Sequence, residues 1–284
     1  MSFMAMEVVG GLLSNSLALL SDAAHMLMDS AALGIAMFAA VVSRRGSDSK
    51  HTYGYRRMEV LGGSINAVLL IVMAVLILKE SVARFRDPPE IQGVVMSAVA
   101  LVGLGVNAGA MFILHPVRNE GANLRGAFLH VMGDFLGSVS AVVAGLGVWL
   151  LGWRILDPIA SLVVAGLILV GSFSLLRECL HILLEGAPRG MSVDRLVADM
   201  TAVDGVTEVH DLHVWSIGGG FDILTAHVVA EGPQTWRRIR GDLRRLVRDR
   251  YGIRHVTLEF EESKGGDECP GDCLGGAERA RDGL

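Results

Sequence analysis

Up to about residue 184 the sequence is a succession of long apolar runs broken by short polar turns, and beyond it the chain becomes polar and charged. A helix needs about 20 predominantly apolar residues to cross a hydrocarbon core of about 30 Å. Hydrophobic residues make up 51% of the 284, too many for an ordinary soluble domain, and they concentrate in those runs. The reading is an α-helical membrane protein: a six-span bundle over 1–184, then a small α+β domain over 185–262, then an acidic tail over 263–284 read as disordered.

The runs lie at about 1–13, 17–42, 58–83, 93–114, 124–150 and 158–178. The first covers only about 20 Å as a helix, so it reads as a span cut short or mis-started. A signal peptide competes with that reading, but no basic region precedes the apolar stretch. Residues 43–57 carry Arg44, Arg45, Lys50, Arg56 and Arg57 against the single acid Asp48. The positive-inside rule makes this loop cytoplasmic, and with it both termini. The net charge of −5 averages two unlike halves, and no basic stretch suits nucleic acid. The three cysteines, Cys179, Cys269 and Cys273, show no disulfide spacing. Gly133 and Gly137 form a small-residue step that lets helices approach closely.

Two of the runs carry the same polar pattern, His25-Met-Leu-Met-Asp29 and His130-Val-Met-Gly-Asp134. Residues four apart share a helix face. Each segment thus offers one imidazole and one carboxylate on one side. From Leu17, His25 lies about 12 Å along the helix and Asp29 about 18 Å, so the pair straddles the bilayer centre. Ionisable groups there are costly and mark function. Each pair could merely satisfy a helix contact, but a repeated pair points further. Two nitrogens and two carboxylates suit a tetrahedral divalent metal, zinc first. The second and fifth spans run antiparallel, which brings His25 towards Asp134 and Asp29 towards His130.

In the polar part, Val193–Val203 reads as helix, Val206–Ile217 and Phe221–Val229 as strands, Trp236–Tyr251 as a basic amphipathic helix and His255–Glu261 as a strand. The order resembles an open ferredoxin-like layer.

The stretch from Val9 to Asp29, Tyr53-Gly-Tyr-Arg56, Asp157-Pro-Ile-Ala160, His181-Ile-Leu-Leu-Glu185 and Val209-His-Asp-Leu-His-Val-Trp215 together resemble the cation diffusion facilitator family, closest to its bacterial zinc/cobalt/cadmium-resistance branch. The resemblance covers about residues 1–262. It implies a homodimeric exporter in the bacterial inner membrane, moving a divalent metal out of the cytosol in exchange for protons. It puts the transport site at His25, Asp29, His130 and Asp134, with zinc as cargo and regulator and Cd2+ or Co2+ as alternative substrates. It implies no enzyme. A loop site of some members, Asp-x-x-His-x-x-x-His, survives here only as Asp48 and His51, with Tyr55 where the last ligand would stand.

A two-residue hairpin loop at Gly218-Gly219 makes paired numbers sum to 437 and sets His210 opposite His227. Strict alternation then turns His213 to the other face. Family regulatory metals resemble two such His with ligands on the last strand, here Glu261 and then Glu259. A polar sheet face with no metal competes with that reading. Cys269 and Cys273 could add thiolate ligands.

Two rivals stand beside the exporter: a membrane metalloenzyme, which needs an open metal position and a general base, and a membrane metal sensor without transport.

Overall fold

The structure, a computed structural model, describes residues 2–116 and 122–262. Two compact units emerge, one from Met1–Phe38 with Gly62–Leu176, the other from Ala39–Leu61 with Arg177–Leu284.

The apolar runs form six helices: α1 (Ser2–Ser14), α2 (Leu17–Ser43), α3 (Arg57–Arg86), α4 (Gly93–Leu114), α5 (Ala122–Leu151) and α6 (Leu156–Leu183). Among the described residues, five are long and apolar enough to cross a membrane, and α1, at 13 residues, is not. This agrees with the expectation of six apolar runs of which the first is cut short. Large apolar side chains face outward, with Phe112, Ile113 and Val170 each more than 70% exposed, as lipid-facing surfaces require.

Asp157, wholly buried at the start of α6, ties the first unit together. Its carboxylate accepts the backbone N–H of Leu17 at 2.9 Å and of Ala18 at 3.1 Å, and also the Ser16 hydroxyl. These are orphan donors at the start of α2, so a residue 140 positions away caps that helix. Arg84 of α3 lies 3.7 Å from the same carboxylate and donates to the Asn15 carbonyl at 2.7 Å. A buried charge is tolerated only with such partners.

The close helix contact is not at Gly133 and Gly137. A Cβ on Gly133 would meet nothing within 4 Å, and one on Gly137 would make an ordinary 3.6 Å contact with Val164. Instead a Cβ on Gly93 would sit 2.6 Å from the Trp149 nitrogen, and one on Gly145 would sit 2.7 Å from the Ser97 hydroxyl. The α4 and α5 backbones come close there because each glycine lacks a side chain and only the small Ser97 hydroxyl lies against Gly145.

The second unit contains α7 (Val193–Thr201), β1 (Val206–Ser216), β2 (Asp222–Ala230), α8 (Trp236–Tyr251) and β3 (His255–Glu261). The sheet order is β1-β2-β3, with β1–β2 antiparallel and β2–β3 parallel. The parallel pair needs a crossover, and α8 supplies it. Ile239, Leu243 and Val247 recur every four residues on α8 and are fully buried against Leu224, Val228 and Val209. Ser192 caps α7 by accepting the Arg195 N–H. Gly252, at φ 75°, ends α8 in the left-handed conformation that glycine adopts without penalty.

The hairpin differs from the expected one. Ile217 pairs with Phe221 across a three-residue loop of Gly218, Gly219 and Gly220, so paired numbers near the turn sum to 438. A register shift between His210 and His213 then restores His210 opposite His227. The extra residue is a β-bulge. It also buries Leu212 and Val214 after Val209, which leaves His213 on the same outward side as His210 rather than on the opposite face.

Candidate functional site

On α2, His25 Nε2 lies 3.7 Å from Asp29 Oδ2, the contact that a four-residue spacing provides. From α5, Asp134 Oδ1 comes within 3.5 Å of the same nitrogen. Ligand atoms of the three residues all lie within 4.8 Å of one another. In a tetrahedron with bonds of about 2.1 Å, ligand atoms stand about 3.4 Å apart, close to these spacings. The side chains of His25, Asp29 and Asp134 are 16%, 30% and 23% exposed, so an ion could reach them. His130 sits on α5 one turn before Asp134, and its side chain lies outside the described residues.

The three residues line a cavity of about 520 Å³ whose other polar groups are Asp22, Asn66 and Ser172. The rest of its wall is apolar or glycine, Gly133 and Gly137 included. Those glycines therefore make room beside Asp134. Sequence reasoning passed over Asp22 and Glu7. Both are nearly fully buried, and they neighbour each other between α1 and α2. The signal was available, since an acid inside an apolar run is a functional suspect.

A second group lies in the sheet. His210 and His227 are cross-strand partners with ring centroids 5.4 Å apart. Glu261 joins them from β3, with Oε1 2.7 Å from His227 Nδ1 and Oε2 3.5 Å from His210 Nε2. This trio also falls within 4.8 Å. Glu259, directly opposite His227 in register, stands 3.6 Å from the other ring nitrogen, Nε2, and is 70% exposed. Cys269 and Cys273 lie outside the described residues.

In the loop before α3, Asp48 is held by its own neighbours. Its carboxylate accepts the backbone N–H of Lys50 at 2.8 Å and of His51 at 2.6 Å, and the Tyr55 hydroxyl at 2.9 Å. The His51 N–H above all, then the Tyr55 hydroxyl, pushes its pKa down to about 2. His51 Nδ1 is 3.1 Å from the same carboxylate. Tyr55, in the position of the missing ligand, thus closes a turn through a hydroxyl that is a poor metal donor.

Comparison with known proteins finds family matches in both parts of the chain. Residues 1–184 match the family described as cation efflux transmembrane domain, and residues 188–263 match that of the cation efflux protein cytoplasmic domain. The zinc transporter ZitB of Escherichia coli is 40% identical over 261 residues, covering 91% of this chain and 83% of its own. The cadmium, cobalt and zinc/H(+)-K(+) antiporter of Bacillus subtilis is 37% identical over 264 residues, covering 91% and 85%. The metal cation efflux system protein CzcD of Cupriavidus metallidurans is 37% identical over 263 residues, covering 92% and 83%. A solved metal-bound C-terminal domain of a CzcD transporter aligns over 25% of this chain and 99% of its own, at 30% identity and a TM-score of 0.24. With five described helices long and apolar enough to cross a membrane, a small α+β domain and both family matches, the chain belongs to the cation efflux family of membrane transporters, the cation diffusion facilitators.

Proposed function

We propose that this protein exports a divalent cation, zinc first, from the cytosol in exchange for protons, with cadmium and cobalt as alternative cargo. The observation that carries the proposal is the group of His25, Asp29 and Asp134 at one cavity between apolar helices. His130 completes the set as the fourth ligand, from its place one turn before Asp134. The names of the relatives support the cargo.

A zinc ion binds only deprotonated ligands, so protons and cargo compete for the same atoms. Imidazole titrates near pH 6.5 in water, between a neutral and a mildly acidic compartment. Loading on one side and proton-driven release on the other follow from that competition. Alternating access comes from helices rocking around the site.

The chain divides functionally into a transmembrane domain (1–184), a cytoplasmic domain (185–262) and a tail (263–284). It acts as a homodimer in the inner membrane with both termini in the cytosol, in keeping with the basic loop at 43–57. In the cytoplasmic domain His210, His227 and Glu261 bind a regulatory zinc, with Glu259 beside them. Asp48 and His51 keep a loop in shape.

Flux from the purified protein in proteoliposomes, with zinc, cadmium, cobalt and manganese compared, tests the proposal. Zinc uptake with opposite proton movement is expected. Zinc binding without flux would leave a sensor in its place.

A further inference from the structure

The β1 bulge places Asp211 at φ 48°, one of three non-glycine residues with positive φ among those described. Aspartate tolerates this region better than most residues, but it remains a sparsely populated conformation. Such a residue persists where its surroundings fix it, commonly at a working site. Here the surroundings are two histidines. Asp211 Oδ1 is 2.8 Å from His213 Nε2, and Oδ2 is 3.7 Å from His227 Nε2. Its side chain is 16% exposed.

His227 therefore has two differently dressed nitrogens. Nδ1 faces Glu261 and the trio, while Nε2 faces Asp211 and Glu259. A neutral imidazole carries one N–H and one lone pair. Without a cation, the 2.7 Å contact with Glu261 favours the proton on Nδ1. A cation taking the Nδ1 lone pair moves the N–H to Nε2, where the carboxylates of Asp211 and Glu259 at 3.7 and 3.6 Å stabilise it. Glu259 is 70% exposed, so water screens it, and Asp211 has the stronger hold.

We propose that Asp211 is a positioning residue for the cytoplasmic cation site: the bulge turns its carboxylate towards His227 Nε2, where it stabilises the N–H that must sit there, and the ring orientation that goes with it, when a cation occupies Nδ1. His213, on the other oxygen of Asp211, steadies the carboxylate. The proposal rests on reading His210, His227 and Glu261 as a cation site. It assigns a task to the second residue of His210-Asp-Leu-His213. Partners that orient metal-binding histidines in this way typically govern 10–100-fold in affinity.

The test uses the full chain in detergent with Asp134→Ala throughout, so that the membrane site does not contribute, and follows cobalt(II) by its visible d–d absorption and by competition with zinc. Asp211→Gly favours the positive φ and removes the carboxylate. It should bind cobalt about 10–100-fold more weakly, with the band positions of the parent and no loss of cation-free thermal stability. Asp211→Asn keeps an acceptor and tolerates the same φ, and it should recover most of the affinity. Glycine binding as tightly as the parent would reduce Asp211 to a turn residue and overturn the proposal. A shifted band in the asparagine variant would make Asp211 a ligand and overturn it equally. His227→Ala is the control for the underlying reading: parental cobalt binding there would remove the trio itself.

Discussion

The two candidate cation groups have nearly the same composition and different construction. In the first unit, His25 and Asp29 come from α2 and Asp134 from α5, at 3.5 and 3.7 Å around one nitrogen beside a cavity of about 520 Å³. In the sheet, His210, His227 and Glu261 come from three neighbouring strands whose hydrogen-bond ladder fixes their spacing, and Glu261 already touches His227 at 2.7 Å. Ligands on separate helices can part when the helices move. Ligands on adjacent strands cannot part without breaking the sheet. The first construction suits a cation that must leave, the second one that stays.

The comparison breaks most easily at Asp134. Asp134→Ala should lower zinc flux more than about 100-fold, beyond what an outer partner of a ligand costs, and leave the cytoplasmic zinc in place by equilibrium dialysis. Near-normal flux would remove Asp134 from the cargo site. Glu261→Ala is the converse. It should lower the number of zinc ions bound by one per chain, with flux reduced less than by Asp134→Ala. A variant of Glu261 that abolishes flux as completely would mean that the sheet site carries cargo.

Next comes the cap of α2. Asp157→Ala strips the Leu17 and Ala18 N–H groups of their acceptor and leaves Arg84 without its carboxylate. A loss of about 2 kcal/mol or more is expected, read as a lower melting temperature. An unchanged melting temperature would show that the buried carboxylate is dispensable. The smallest effect concerns Asp48. Its pKa is held at about 2, below the ordinary carboxylate value, so its share in ordering the loop is complete above about pH 4 and fades as pH falls through 2. Pepsin cleavage between Arg44 and Arg57 should therefore speed up between pH 4 and pH 2, and more steeply in the native protein than in Asp48→Asn. Equal pH profiles would put the loop's order elsewhere.

Much of this was legible in the residues. The apolar runs located α2 and α4 almost to the residue, and the His-x-x-x-Asp repeat picked out His25, Asp29 and Asp134. The sixth apolar run stops at about 178, whereas the helix α6 runs on to Leu183. The hairpin shows why register is hard. Three successive glycines, all at positive φ, permit several loop lengths. The shorter loop expected was off by one residue, and a bulge at Asp211 compensated by one. His210 thus met His227 by a different route, and His213 came out on the other face. Neither the bulge nor the reach of Asp157 to α2 is a periodic signal, and both depend on contacts far along the chain.

The bare backbone contact of α4 with α5 at Gly93 and Gly145 has a mechanical meaning. With only the small Ser97 side chain against Gly145, rolling or sliding of one helix over the other would bring their backbones into collision. A close contact of this kind would make them move as one stiff lever, carrying Asp134 on α5 with it. Any change in the shape of the cavity would then have to move α4 along with α5, adding its weight and lipid-facing surface to each cycle.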